Sequence, residues 1–344
     1  MLFRRGADAT SRVCYDPLTP ASLAGSLMSM DLRPLALGEL LDRSFSIYRR
    51  HFWLFVGIMA VPSILMLLIS ITIQLLQPAN PALAESSPDG PQPSVEMLAL
   101  FIGGALLVLV GLIVYWIAYA IATGAATVGV AQLYDGATVT IASAYAPVRG
   151  KAFTIAFLLF LVGLRIGGLM FIIGLILAVV GAGLAVVTPV LTAVAVMFGL
   201  FTMGALTVWM MLRYSVAVPA LVLEGATATE SIGRSIELTK GHLGRVFVVV
   251  LFCVLVTYAA MFIFNGPFMF AAVLAGPETT TAFWLNLAGA VFGSIANAFT
   301  GSLVIISLAV LYYDLRVRKE GLDLQVMISH LGRETTDAPA VLPG

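Results

Sequence analysis

The feature that most constrains this chain is a series of apolar runs, each about as long as a bilayer is thick. They are Phe52 to Leu76, Met97 to about Thr127, Ala152 to Val222, Val246 to Phe264 and Phe283 to Tyr312. About 20 apolar residues in a helix cross the hydrocarbon core. The chain is 60% hydrophobic and 10% charged, whereas a soluble domain has roughly a quarter of its residues charged. These patterns exclude a cytosolic enzyme, a nucleic-acid-binding protein and a disulfide-stapled secreted domain.

The run from Ala152 to Val222 is too long for one crossing, so it must turn back on itself. Gly181, Gly183 and Pro189 are the helix-breaking residues near its middle, and we expect a tight hairpin there. The run that starts at Met97 is expected to stay helical to Tyr134, and Asn265-Gly266-Pro267 closes the fifth run. The sequence therefore predicts six spans.

The basic residues lie in alternate loops, which predicts the orientation. Sixteen of the 18 fall on one side: Arg4, Arg5, Arg12, Arg33, Arg43, Arg49 and Arg50 before span one, Arg149 and Lys151 before span three, Arg234, Lys240 and Arg245 before span five, and Arg316, Arg318, Lys319 and Arg333 after span six. The positive-inside rule makes that side the cytoplasm. We expect a multi-pass protein of a prokaryotic inner membrane with both termini in the cytoplasm.

A threefold internal repeat is visible in the segments that precede the odd-numbered spans. GELLDRSFSIYRRHF from Gly38 aligns with TESIGRSIELTKGHL from Thr229 at one constant offset, which pairs Glu39 with Glu230, Arg43 with Arg234, Ser44 with Ser235 and His51 with His242. TIASAYAPVRGKAF, before span three, is a weaker copy. Each copy predicts an amphipathic interfacial helix, here called an elbow helix, followed by a hairpin of two spans.

The ends of the returning spans also match, because each carries an acid: Tyr134-Asp135-Gly136, Leu223-Glu224-Gly225 and Tyr313-Asp314. We therefore predict an all-α polytopic membrane protein with six transmembrane helices in three repeats. The predicted membrane domain is 31–325, with repeats at about 31–136, 137–225 and 226–325. Residues 1–30 are interpreted as a disordered or spurious leader, with translation beginning at Met30, and 326–344 as a flexible cytoplasmic tail.

The first elbow helix has an apolar stripe at helical spacing, formed by Leu37, Leu40, Leu41, Phe45 and Tyr48. Such a helix lies in the headgroup layer. One interpretation is that the elbow helices only anchor the spans. The other is that Arg43 with Arg49, and Arg234 with Lys240, bind anionic lipid headgroups or a cytoplasmic protein. The two interpretations are compatible.

Two arginines fall inside predicted spans. Arg165 is about 21 Å inward from Lys151 and Arg213 about 16 Å inward from Glu224, so both are expected near the midplane of a core about 30 Å thick. Spans three and four are antiparallel neighbours, which would let the two guanidinium groups approach each other.

The expected neutral partners of these arginines are carbonyls near Pro189 and Pro219 and the side chains of Asn286, Asn297, Ser215, Thr202 and Thr257; the other source of a partner is an external anion. The arginines then either lock the bundle or line a polar cavity between spans three, four and six that binds an anionic lipid or solute. Gly163 with Gly167, and Gly289 with Gly293, form two G-x-x-x-G motifs, for which we expect close helix packing within the chain.

Three segments carry a resemblance to a known family. GELLDRSFSIYRRHF, RSIELTKGHLGRVF and LYYDLRVRKEGLDLQ are similar to signatures of the bacterial glycerophosphoryl diester phosphodiesterase membrane-domain family, in an order that covers roughly Asp31 to Gln325. In some members this region is fused to a catalytic barrel. The chain has no soluble segment long enough for roughly 250 residues of barrel. The resemblance therefore implies a membrane module and does not imply phosphodiesterase activity.

No motif for catalysis, a metal or a cofactor stands out. The two cysteines, Cys14 and Cys253, have no partner by spacing, and the three histidines lie far apart. We predict a noncatalytic protein that organises or binds membrane components, with anionic lipid among the candidates, or that serves as the membrane subunit of a partner system. The alternative is a transporter or channel for an anionic solute or lipid that uses Arg165 and Arg213. Partners are the bilayer, an anionic lipid, or a membrane or cytoplasmic protein, and no nucleic acid.

Overall fold

The computed structural model describes residues 34–76, 94–185, 188–276 and 279–321. Its helices are α1 (Leu37–Arg50), α2 (Phe52–Leu76), α3 (Val95–Tyr134), α4 (Ile141–Tyr145), α5 (Ala152–Ala185), α6 (Pro189–Tyr214), α7 (Ala217–Glu224), α8 (Ala228–Thr239), α9 (Leu243–Phe264), α10 (Gly266–Ala275) and α11 (Thr280–Glu320), with a short 3₁₀ turn at Arg149–Lys151 before α5. The predicted leader at 1–30 and tail at 326–344 lie outside the described residues.

Six helical segments are long and apolar enough to cross a membrane, which confirms the six predicted spans. They contain α2, α3, α5, α6 with α7, α9 and α11. The described residues form helices and no strands, so the all-α class is confirmed as well. The helices α3 and α11 have 40 and 41 residues, and at 1.5 Å per residue each is about 60 Å long. That is twice the thickness of a hydrocarbon core of about 30 Å, so both helices extend beyond it.

The turn between spans three and four falls at the predicted proline. Helix α5 ends at Ala185 and α6 begins at Pro189, with Thr188 as its N-cap. Proline is well suited to the first turn of a helix, because a backbone N–H there has no partner within the helix. Gly181 and Gly183, which we expected to help make the turn, lie inside α5.

Two boundaries differ from the sequence prediction. Span six was expected to end at Tyr312, but α11 continues to Glu320 and ends at Gly321, whose φ of 58° is left-handed. Hydropathy marks where an apolar run ends and does not mark where a helix ends, which explains this error. After span five, Gly266 and Pro267 begin a further short helix, α10, which the sequence analysis missed.

The best-packed part of the molecule is one end of the bundle, where the returning spans finish. The last part of α3 from Ala120, nearly all of α7, and α11 from Ser302 to Val317 are buried on almost every face. Small residues allow this close approach: a side chain at Gly124 would overlap Ile155, since its Cβ would lie 2.7 Å from Cδ1 of that residue. In the other half of the bundle the large apolar side chains are exposed, as expected for a surface that faces lipid.

The elbow helices surround this packed end. Helices α1, α4 and α8 precede α2, α5 and α9, as the repeat predicts. Residues of α1 and α8 that align at a constant offset in the sequence make equivalent contacts in the two helices. The Ala36 N–H donates to Glu39 Oε2, and the Thr227 N–H donates to Glu230 Oε2, both at 2.9 Å.

The aligned residues Ser44 and Ser235 are both fully buried. The aligned residues His51 and His242 have nearly the same backbone conformation, with φ and ψ of −119° and 32° in one and −123° and 19° in the other. The second elbow helix, α4, has only five residues, which agrees with the weaker sequence copy. The threefold repeat itself stays a prediction.

Candidate functional site: the charged end of the bundle

The last turns of α11, residues 312–320, carry a dense group of charged and tyrosine side chains. We call these residues, together with the side chains that bind them, the charged end. This segment is YYDLRVRKE, part of the third motif described above. It contacts the entry to α1 and the helices α3, α7, α8 and α9.

Asp314 is the centre of the first cluster. Its side chain is fully buried and accepts the Leu35 N–H at 3.0 Å and Arg318 Nε at 3.1 Å. Arg245 Nε lies 2.7 Å from Asp314 Oδ2 and forms an ion pair with it. The guanidinium groups of Arg245 and Arg318 also donate to the Leu35 carbonyl. A buried carboxylate needs such partners, and here they join the entry to α1, the start of α9 and the end of α11.

Four alternating charges form the second cluster. Arg234 Nε donates to both oxygens of Glu224 at 3.0 and 3.1 Å, and its terminal nitrogen pairs with Glu320. Arg316 Nε lies 3.0 Å from Glu320 and 3.8 Å from Glu224. The Tyr312 hydroxyl donates to Glu224 at 2.6 Å. The four charged side chains are 20–23% exposed, so the cluster is largely shielded and connects α7, α8 and α11.

The position of Glu224 and Glu320 explains why they need arginines. Each is the last residue of a helix, α7 and α11, and is followed by a glycine with positive φ. An acid at a helix C-terminus meets the negative end of the helix dipole. The guanidinium groups compensate for this repulsion. Burial alone would lower the pKa of Arg234, but the hydrogen bonds and charges of Glu224 and Glu320 outweigh that effect, so this pKa is raised from its ordinary value.

A third contact joins α1, α3 and α11 through aromatic rings. The Tyr134 and Tyr313 rings stack with centroids 4.9 Å apart, and the Arg43 guanidinium lies 5.1 Å from the centre of the Tyr134 ring. This distance is typical of a cation–π interaction. At the ends of the returning spans, Tyr134 thus contacts Arg43 of the first elbow helix and Glu224 pairs with Arg234 of the third, a relation that the sequence analysis missed. Its signal was present, because Glu224 and Arg234 are separated by a single turn between two helices.

The four predicted elbow residues fall into two kinds. Arg43 and Arg234 are half-buried and contact the returning spans. Arg49 and Lys240, six positions later in each copy, are exposed. A lipid-binding role for any of the four stays a prediction. The structure separates them by accessibility, because an anion that binds Arg234 would compete with Glu224 and Glu320.

The two predicted intramembrane arginines lie at similar levels on the α5–α6 hairpin. In this hairpin, Gly181 faces Val196 and Gly199 faces Leu177, a register that also places Arg165 and Arg213 near each other in height. Arg165 is exposed and makes no hydrogen bond or ion pair with the described residues. The Arg213 guanidinium lies 4.5 Å from the centre of the Trp209 ring, and its Nε is buried without a hydrogen-bond partner.

The backbone of Arg213 contacts an elbow helix. Ser235 of α8 donates a hydrogen bond of 2.7 Å to the Arg213 carbonyl. The depth of Arg213 in the membrane stays a prediction. Of the expected neutral partners, Ser215, Thr202 and Thr257 donate to carbonyls of their own helices.

A second group of basic residues is not part of any cluster. Besides Arg165, five cations among the described residues are exposed and form no side-chain hydrogen bond or ion pair there: Arg49, Arg50, Arg149, Lys151 and Lys240. Each lies within three residues of the start of span one, three or five, which are α2, α5 and α9. We call these three places the elbow junctions. By contrast, Arg234, Arg245, Arg316 and Arg318 are ion-paired within the charged end.

The fold and the charged end define a helical, multi-pass integral membrane protein. Residues 185–330 match the family model for the membrane domain of glycerophosphoryl diester phosphodiesterase, which confirms over that stretch the resemblance seen in the motifs. The matched stretch contains both ion-pair clusters of the charged end except Leu35. Comparisons with curated proteins and with solved structures gave no match.

Proposed function

We propose that this protein is a noncatalytic membrane module that binds anionic lipid headgroups through the exposed basic residues of its three elbow junctions. The observation that supports the proposal is the separation of its cations into two groups. The arginines of the charged end are neutralised by carboxylates, whereas the junction residues have no such partner among the described residues. Near an anionic membrane surface, each exposed Lys or Arg contributes about 1 kcal/mol to attraction.

The proposal places the charged end and the elbow junctions on the cytoplasmic side of a prokaryotic inner membrane. The positive-inside distribution supports this orientation. Anionic lipids then meet the protein at three places around the bundle, while the ion pairs keep the elbow helices in position. In this proposal the charged end is structural, and binding belongs to the junctions.

Lipid retention in native mass spectrometry tests the proposal. The neutral variant Arg49→Gln/Arg50→Gln/Arg149→Gln/Lys151→Gln/Lys240→Gln is compared with a charge-preserving control in which each Arg becomes Lys and each Lys becomes Arg. We expect the neutral variant to retain much less phosphatidylglycerol than the wild type, and the control to retain a similar amount. Equal retention by all three proteins would refute the proposal.

A transporter for an anionic solute is the second candidate, supported by one observation. The Nε of Arg213 is buried without a partner, and Arg165 is exposed at a similar level of the adjacent helix. An anion between them would satisfy both. Arg165→Ala/Arg213→Ala should then abolish uptake of a phosphorylated solute into proteoliposomes, while unchanged uptake or its absence in the wild type would count against transport.

A further inference from the structure

An apolar groove lies between α3 and α5, beside the second elbow junction. Its cavity volume is about 510 Å³, and it is lined by Ile113 and Trp116 of α3 and by Phe153, Ala156, Phe157 and Phe160 of α5. Ala156 is 8% exposed and forms the floor, whereas Phe153 is 84% exposed and stands at the mouth. The groove therefore opens on the surface that faces the lipid.

The lining offers nothing to hold water. The one polar side-chain group among these residues, the Trp116 indole N–H, donates to the Ala156 carbonyl at 3.3 Å. A groove lined by apolar atoms stays dry and takes an apolar occupant. Along α5 it runs from Phe153 to Phe160, about 10 Å, which is most of one leaflet of a core about 30 Å thick.

The shape favours a hydrocarbon chain over a protein helix. Phe153, Phe157 and Phe160 project from one face of α5 as bulky walls, and a helix could not approach Ala156 between them at the 8–10 Å axis separation that helix packing requires. A linear chain fits such a slot. The slot is deep because the residue on its floor, Ala156, is small.

The cations that precede α5 specify the other end of the occupant. Arg149 and Lys151 lie directly before α5, within one turn of Phe153, and both are exposed; the Lys151 ammonium is near Gly225, which follows α7. Neither is ion-paired with the described residues. A phosphate held by these two cations would have its hydrocarbon chain at the entrance of the groove.

We infer that the groove between α3 and α5 is a binding site for one anionic phospholipid, with an acyl chain against Trp116 and Phe157 and the phosphate on Arg149 and Lys151. The inference rests on the proposed function and deepens it at one of the three junctions. At the second junction the protein contacts both the phosphate and an acyl chain of the lipid. At the first and third junctions the proposal involves the headgroup alone.

Quenching of Trp116 fluorescence tests this site. In a variant with Trp53→Phe, Trp209→Phe and Trp284→Phe, Trp116 is the remaining tryptophan. The protein is placed in vesicles that contain a fixed minor fraction of lipid with brominated acyl chains, either phosphatidylglycerol or phosphatidylcholine. We expect the brominated phosphatidylglycerol to occupy the site about fivefold more readily for each cation contacted, and so to quench more strongly.

Matched variants separate the groove from the charges. Arg149→Gln/Lys151→Gln should remove the preference for phosphatidylglycerol, whereas Arg49→Gln/Arg50→Gln at the first junction should leave it unchanged. Ala156→Leu fills the groove and should also remove the preference, while Ala178→Leu, on the exposed surface of the same helix, should not. Phe157→Ala removes a wall without adding volume, so it serves where Ala156→Leu does not fold.

The outcomes distinguish this site from the proposed function. Equal quenching by the two brominated lipids in the parent protein, or a preference that persists in both Ala156→Leu and Phe157→Ala, would overturn the groove site. The proposed function would still stand if the five-residue neutral variant lost lipid in mass spectrometry. If that variant loses no lipid, the proposed function fails, whatever Trp116 reports.

Discussion

Asp314 shows how one side chain organises the charged end. It lies at the predicted end of span six, but the helix continues past it, so its carboxylate is buried against Arg245, Arg318 and the Leu35 N–H. A carboxylate in this position is stable only while those donors surround it. Removing it would leave two guanidinium groups beside a single carbonyl.

The variant Asp314→Asn keeps the size of the side chain and removes its charge. Breaking a buried ion pair by removing one partner costs about 3–5 kcal/mol, so we expect a clearly lower midpoint of thermal unfolding in detergent. Glu237→Gln is the control, because Glu237 is 69% exposed and lies 3.8 Å from Arg234. Exposed pairs contribute at most about 1 kcal/mol. Equal midpoints for the two variants would contradict a structural role for Asp314.

At the scale of elements, the two G-x-x-x-G motifs have different environments. In α11, a Cβ on Gly289 would lie 2.8 Å from Asn265 Oδ1 and 3.3 Å from Phe268 Cβ, so this helix packs closely on the turn between α9 and α10. In α5, a Cβ on Gly163 would meet only Trp116 at 3.8 Å, and one on Gly167 would meet nothing within 4 Å. Close packing within the chain was expected for both motifs and is found for the one in α11.

Alanine substitutions test this difference. Gly289→Ala forces Asn265 or the backbone to move, and overpacking of this kind costs about 1–3 kcal/mol. Gly167→Ala has free space and gains helix propensity of about 1 kcal/mol, so its stability should be unchanged or higher. The unfolding midpoints of the two variants in detergent provide the measurement. A Gly167→Ala variant less stable than Gly289→Ala would show that the assignment of the packed motif is wrong.

The number and type of the membrane spans could be predicted from the sequence because each depends on local composition, whereas the short helix α10 was missed. The length of the apolar runs determines six spans, and Pro189 marks the hairpin. The end of α11 was placed too early because hydropathy stops at Tyr312, although Arg316–Glu320 and Asp314–Arg318 are i,i+4 pairs that support a longer helix. The pairs with Glu224, Arg234 and Arg245 could not be predicted, because these residues come from other helices. The hydrogen bond from Ser235 to the Arg213 carbonyl could not be predicted either, because Ser235 lies on another helix.

At the scale of the whole molecule, the packed end and the lipid-facing end have different compositions. The end that contains the elbow helices carries the buried core and the ion pairs, while the opposite end exposes large apolar side chains. The sequence predicted which side holds the basic residues. It did not predict which of those residues would form ion pairs. Arg234 and Lys240 lie on the same short segment, and the folded structure determines which of them contacts the other helices.

Cysteine labelling tests the predicted orientation. In a background with Cys14→Ala and Cys253→Ala, Glu237→Cys marks the exposed side of α8, and Thr192→Cys marks the opposite end of the bundle at the start of α6. We expect a membrane-impermeant maleimide added to intact spheroplasts to label Thr192→Cys and not Glu237→Cys. Labelling of Glu237→Cys alone would show that the orientation is the opposite of the predicted one. As a control, both positions should react after the membrane is permeabilised.

The central claim is that the paired cations stabilise the protein and the exposed junction cations bind anionic lipid. The most direct measurement is the unfolding midpoint in detergent with and without added phosphatidylglycerol, because a ligand that binds the native state raises its stability. Asp314→Asn should have a lower midpoint without lipid but keep the lipid-dependent increase. The five-residue neutral variant should keep the midpoint and lose the increase. The opposite pattern, with the increase lost in Asp314→Asn and kept in the neutral variant, would contradict the account.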